Sequence, residues 1–176
     1  MSNGFDFKDL EQFRENLLKM RDHVPEIMEE LAVGEGTYAV KQARSICKTD
    51  KIVDTGQYRM NWHTGDKAMP AEASNKLHDG SKPRKNGTSF TIDVYNNVDY
   101  AKPLEYGFRS HYVPPQHLSS YYRKRFPKGM YVGPPGGYVK GRFVLKRAIK
   151  RTETTQQARL TRKWNAKVKE YLERGL

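Results

Sequence analysis

The sequence predicts an α+β fold: N-terminal helices and a long C-terminal helix packed on a small antiparallel β-sheet, with a long Pro/Gly/Tyr-rich basic loop between sheet and last helix. Three observations carry this. Apolar residues recur at helical spacing near both ends of the chain. Ser89 to Asn96 alternates Phe90, Ile92 and Val94 against Thr91, Asp93 and Tyr95, the period-two pattern of a strand with one buried face. Prolines and glycines then crowd residues 109–140. At 176 residues the chain has the length of one ordinary domain, taken as 1–176. Its parts are a helical region at 5–48, a sheet core at 52–108, an extended basic loop or arm at 109–140 and a helix at 141–176. A hydrophobic content of 36% and a mean hydropathy of -0.88 are low for a globule. Seven Phe, eleven Tyr and two Trp nevertheless argue against disorder throughout, and together these values predict a small core with projecting arms.

The first helix is predicted to start at Phe5–Leu10, where Asp6 accepts from free backbone N–H groups and Phe5 staples onto Leu10. Leu10, Phe13, Leu17 and Met20 form its apolar stripe, and Pro25 suits the first turn of a second helix carrying Ile27, Leu31, Tyr38, Ala39, Ala43 and Ile46. Gly34 and Gly36 each weaken that helix by about 1 kcal/mol relative to Ala, which marks a kink or break. Thr55-Gly56 reads as a turn, with a strand following it. Trp62, beside His63 on that strand, reads as core or interface packing with a partner for its N–H. After the strand at Ser89–Asn96, the segment Tyr100–Gly107 reads as a helical turn closed by glycine.

Pro114-Pro115, Pro127, Gly129 and Gly133-Pro134-Pro135-Gly136-Gly137 predict a connection without regular helix or strand. A structureless segment of that length inside a domain is commonly functional or flexible. Its five tyrosines interleave with Arg123-Lys124-Arg125 and Lys128, which fits either an arm that orders against another subunit or a loop that stacks on single-stranded nucleic acid. From Arg142 to Arg174 there is no Pro or Gly, and one long helix, or two, is expected. Leu145 and Ile149 form one apolar contact; Leu160, Trp164, Val168 and Leu172 form another. The gap between them predicts that the first part packs on the domain's own sheet and the last part on something else, a neighbouring subunit being the natural candidate.

Charge is distributed unevenly. The total is +12, and no Asp or Glu occurs from Tyr106 to Thr152, a stretch holding eleven Lys and Arg residues. Such a field suits an anionic partner, nucleic acid or the acidic face of a neighbour; the bland reading is a solvated surface. No run of about eighteen apolar residues and no basic-then-apolar leader occurs, so neither membrane insertion nor secretion is expected and the protein reads as intracellular. The single Cys47 lies on the buried side of a helical face and reads as a packed thiol.

Catalytic signatures are absent from the pattern. His23, His63, His78, His111 and His117 show no spacing that sets two ligands on one helical face, so no metal is expected. The Gly-Pro-Pro-Gly-Gly loop lacks the lysine of a phosphate-binding loop, and its prolines remove amides such a loop needs. No nucleotide or other cofactor is expected. Asp54, Asp66, Asp93, Asp99 and Glu105 are the carboxylates a two-metal nuclease would draw on, but nothing in their spacing forces them together.

Three segments remain: Asp54-Thr55-Gly56 leading to Arg59-Met60-Asn61-Trp62, Asn97-Val98-Asp99-Tyr100-Ala101 with Glu105-Tyr106-Gly107, and Gly141-Arg142-Phe143 opening a basic helix. As an ordered set across residues 50–150 they resemble the neck and tail-completion proteins of long-tailed bacteriophages. That resemblance implies a structural virion protein rather than an enzyme, made in the host bacterial cytoplasm and assembled as a homo-oligomeric ring at the head–tail interface. Implied partners are other neck, portal-side and tail proteins, with non-specific contact to DNA in the channel and none to membrane. Under this reading Arg109, Arg123, Lys124, Arg125, Lys128, Lys140, Arg142, Lys146 and Arg147 meet DNA or an adjacent subunit, and Tyr121, Tyr122, Leu160, Trp164 and Val168 lie in subunit interfaces. The other reading is a free-standing nucleic-acid-binding protein that uses the basic, Tyr-rich loop.

Overall fold

The computed structural model describes residues 8–52 and 55–174. The expected Asp6 cap and Phe5 staple, and Asp54 of the first motif, lie outside the described residues. Two long helices, α1 (Lys8–Thr49) and α5 (Val144–Arg174), run side by side, and short antiparallel ladders pack against them. The α+β expectation therefore holds, with the predicted sheet divided into two two-stranded ladders and two further ladders formed in the segment expected as a loop.

One continuous helix replaces the two expected at the N-terminus. Pro25 lies inside α1, where a proline removes a backbone hydrogen bond and costs about 3 kcal/mol. Contacts with α5 on both sides of it offset that cost. The Asn16 side chain donates to the Leu172 carbonyl at 3.1 Å, His23 stacks on Tyr171 at 5.3 Å, and Glu30 pairs with Lys167 at 3.0 Å. Farther along, the Arg159 guanidinium forks onto the Glu35 carboxylate and lies 3.7 Å over the Tyr38 ring. Gly36 does not break the helix but lets it approach the sheet: a Cβ there would stand 2.1 Å from Thr64 Oγ1. The apolar centre joins Val40, Ala43, Ile46 and Cys47 of α1 to Tyr58, Trp62, Val144 and Ala148.

Gly56 takes a φ of 82°, as the turn reading requires, but a short helix α2 (Gln57–Met60) precedes the strand β1 (Trp62–Gly65). β1 is buried along its whole length and pairs with β4 (Asp93–Asn96). The predicted strand at 89–96 is split, because β3 (Ser89–Thr91) turns to pair with β2 (Arg84–Asn86) instead. Ile92, at the division, sits over Gly36 of α1. The second face of β4 is covered too. Tyr95 is buried, and its hydroxyl donates to the Asp79 carboxylate at 2.9 Å. The covering segment, residues 66–81, is held by the Arg44 guanidinium, which sits among the carbonyls of Met60, Trp62, Ser74, Asn75 and Lys76 at 2.8–3.3 Å. His63 is fully buried in this region. Burial and the nearby Arg44 hold its imidazole below the usual value, which keeps it neutral. Burial likewise pushes the Cys47 thiol up to about 11, the state of an inert packed cysteine.

Candidate functional site

The site grows from a backbone knot at the base of the arm. Helix α3 (Ala101–Tyr106) ends on Gly107 at φ 88°, confirming the glycine-closed turn. The chain returning from the arm crosses there: Arg142 N–H donates to the Leu104 carbonyl at 2.7 Å and Phe143 N–H to the Glu105 carbonyl at 3.1 Å. The buried Glu105 carboxylate then accepts from the N–H groups of Leu145 and Lys146 at 3.0 and 3.1 Å, capping the positive end of α5. Gly141 is required by the crossing, since a Cβ would fall 2.3 Å from the Glu105 carbonyl oxygen. The second and third sequence motifs thus meet in one place, and Glu105 works there as a helix cap.

From this knot residues 107–140 leave as a nested hairpin rather than the structureless loop expected. β5 (Gly107–Arg109) pairs with β8 (Tyr138–Lys140), and β6 (His111–Val113) pairs with β7 (Met130–Val132). The strands are only three residues long because the prolines fall between them, at turns where no ladder hydrogen bond is needed. Gly129 and Gly133 take φ of 87° and 89° at the ends of β7. A 3-10 turn at Pro115–His117 and helix α4 (Ser120–Arg125) form the tip. The tip folds back towards the body. Leu118 is buried, and a cleft of about 710 Å³ separates Leu118 and Tyr122 from Ile52, Tyr58, Tyr100 and Leu104.

The expected contact residues divide into two groups. Arg123 is structural: its guanidinium donates to the carbonyls of Pro115 and Leu118 at 3.1 Å and holds the tip together. Arg147 is structural as well, forked onto Asp50, whose carboxyl it holds below the usual range. Arg109, Lys124, Arg125, Lys128, Lys140, Arg142 and Lys146 are exposed and form no ion pair among the described residues. Arg125 lies 5.8 Å from the Phe126 ring centre. Tyr121 is exposed and edge-on to Tyr122, while the cross-strand pair Tyr112 and Tyr131 brings two further exposed rings to 5.5 Å. Sequence reasoning left out Tyr112 and Tyr131 as named contacts; their opposition is set by the hairpin register alone.

The distal part of α5 has a partner within the chain, namely α1, where an outside partner was expected. Leu160 and Trp164 face an apolar groove beside that seam, and Val168 is half-buried farther along. No helix among the described residues is long and apolar enough to cross a membrane. Among the described residues no group of three His, Cys, Asp or Glu side chains is placed to hold a metal ion. Asp93, one of the carboxylates a nuclease would need, is forked onto Arg84 at 2.9 and 3.0 Å, and Glu105 is committed to α5. No family model, no curated protein and no solved structure matches this chain.

Proposed function

We propose that this protein is a structural virion subunit of a long-tailed bacteriophage, forming a homo-oligomeric ring of the neck or tail-completion type at the head–tail interface and surrounding the DNA channel. The observation that carries the reading is the arm. It is a folded hairpin anchored by Glu105, Gly107 and Gly141, residues of the motif set that resembles that family, and it presents Arg109, Lys124, Arg125, Lys128 and Lys140 without acidic partners among the described residues. Cations held out on a hairpin suit two anionic surfaces of a ring: phosphates in the lumen, attracted without reading of sequence, and acidic patches on adjacent subunits.

Light scattering on the purified protein, with negative-stain images of the same sample, tests this directly. The expected result is a mass several times that of the chain and particles with a central opening. A monomer that neither oligomerises with concentration nor is incorporated on phage portal or tail assemblies overturns the reading. A second reading, a free-standing nucleic-acid-binding protein, is favoured by the exposed Tyr112–Tyr131 pair beside free cations. Changing Lys124, Arg125 and Lys128 together to Glu separates the two. Loss of particle assembly in that variant favours the ring, whereas a parent chain that stays monomeric and whose DNA affinity collapses in the variant favours the second. Arg123 is left intact in that variant because the tip depends on it.

A further inference from the structure

Residues 66–81 lie over the β1–β4 ladder as a cover held mainly by polar contacts. They contain no helix or strand, and most of those from Lys67 to Lys76 are exposed. Leu77 is their one apolar side chain packed against the apolar centre. Hydrogen bonds do the rest. Thr64 N–H donates to the Leu77 carbonyl at 2.9 Å, and Asp79 N–H donates to the Thr64 carbonyl at 3.0 Å. The Tyr95 hydroxyl accepts from Ala71 N–H at 3.1 Å, and the Asn97 side-chain amide donates to the Ala71 carbonyl. A segment with so few buried apolar contacts belongs to the low-stability end of a fold and can open without the rest.

One group under the cover does not share in these bonds. His63 and Tyr95 are cross-strand partners with ring centres 6.1 Å apart, so both side chains stand on the covered face. His63 is fully buried, and its Nδ1 and Nε2 have no hydrogen-bond partner among the described residues, although the carbonyls of Glu72 and Lys76 lie close by. A neutral imidazole tolerates that place. An imidazolium would be an uncompensated buried charge, far costlier than a neutral group. Arg44 of α1 already brings one guanidinium to it, itself near Arg59 of α2. Asp79 of the cover is the opposing charge, but its carboxylate is occupied by Ser81, Tyr95 and the Asp66 N–H. Tyr95 of β4 stays neutral, its hydroxyl pushed by burial up to about 12. His78, also on the cover, donates to the Ser81 carbonyl at 2.9 Å and stands 4.0 Å from Asp79.

We infer that residues 66–81 are an acid-released cover: protonation of His63 beneath them frees the segment from β1 and β4 while α1 and α5 stay folded. Burial first, and Arg44 second, hold the covered imidazole below its ordinary value, so the open form takes up the proton more readily. The closed form is at full strength above the ordinary histidine value near about pH 6.5. Below it the opening equilibrium rises about tenfold per pH unit until the lower, covered value is reached. Opening leaves the Thr64 N–H and carbonyl unpaired and turns β1 into an exposed strand edge. None of this depends on the ring proposed above.

Hydrogen exchange of the full chain, read by mass spectrometry and corrected for the intrinsic effect of pH, tests it. Between about pH 7.5 and about pH 5.5, protection within 66–81 is expected to fall by up to about tenfold while peptides of α1 and α5 keep theirs. Unchanged protection of 66–81, or an equal fall in the two helices, overturns the inference. His63→Gln, or His63→Phe where the first does not fold, is expected to abolish the response, and a response that persists sinks the idea. His78→Gln is expected to retain it; loss there assigns the effect to His78 and refutes the role of His63. An NMR titration of the parent chain needs no variant: a His63 ring that titrates at or above about pH 6.5 is equally fatal.

Discussion

Two buried carboxylates show how single side chains hold this fold. Glu105 accepts from the first backbone N–H groups of α5, and Glu105→Ala leaves those donors unpaired in a buried place. A loss of about 2 kcal/mol is expected, measured as a lower urea midpoint, because an unmet buried donor costs about 1–3 kcal/mol. An unchanged midpoint would show that the cap is dispensable. At Asp79, burial alone would raise the pKa, but the Ser81 hydroxyl and N–H, the Tyr95 hydroxyl and the Asp66 N–H outweigh it and hold the carboxyl below its ordinary value. The unfolded chain then takes up the proton more readily than the folded one. The stability Asp79 contributes is complete above the unfolded value near about pH 4 and is lost as the pH falls through the lower, folded value. Asp79→Asn should therefore flatten the acid limb of stability against pH, read as urea midpoints in stepped buffers; an equally steep limb contradicts this. Neither residue's role was legible beforehand. Glu105 entered the sequence reading as a motif member and a nuclease carboxylate, and only the crossing of residues 141–143 over α3 turns it into a cap.

Among the elements, α1 carries the sharpest contrast. Its two glycines look alike in sequence, yet a Cβ at Gly34 would meet only the flexible end of Lys163, at 2.5 Å from Nζ, whereas one at Gly36 would meet Thr64 and Ile92. Gly34→Ala should raise stability by up to about 1 kcal/mol through helix propensity. Gly36→Ala should lower it, because strand β1 and Ile92 must move. Thermal melts of the two variants check the pair, and shifts of the same sign would refute the close-packing role of Gly36. Helix periodicity was readable because it depends on local spacing; the continuity of α1 through Pro25 was not, because it depends on α5 lying alongside. The arm was misread for a similar reason. Its proline-rich sequence rules out long strands, but three-residue ladders need only that prolines avoid the paired positions.

For the molecule as a whole, charge placement governs the expected behaviour. Arg123 and Arg147 are used internally, so the proposed contact with a polyanion would draw, among the residues named for it, on the exposed Arg109, Lys124, Arg125, Lys128, Lys140, Arg142 and Lys146. If the ring encloses DNA, binding of duplex DNA should weaken steeply with salt, and replacing Lys124, Arg125 and Lys128 by Glu should reduce the slope of log affinity against log salt by about three, near one per lost phosphate contact. Filter binding across a salt series measures it. A slope that does not change would assign those cations to protein neighbours instead.

By itself the sequence determined the helical segments near the two ends of the chain, the turn glycines at 56 and 107 and the acid-free basic stretch, because each follows from local spacing, backbone freedom or composition. Tertiary structure alone decided which cations are free, which carboxylates cap or brace, where one long strand becomes two, and that Leu10, Phe13 and Leu17 face outwards while Ile27 and Leu31 are buried. Those outcomes depend on which segment lies across from which. An apolar stripe has the same sequence pattern whether its partner is in the same chain or in the next copy.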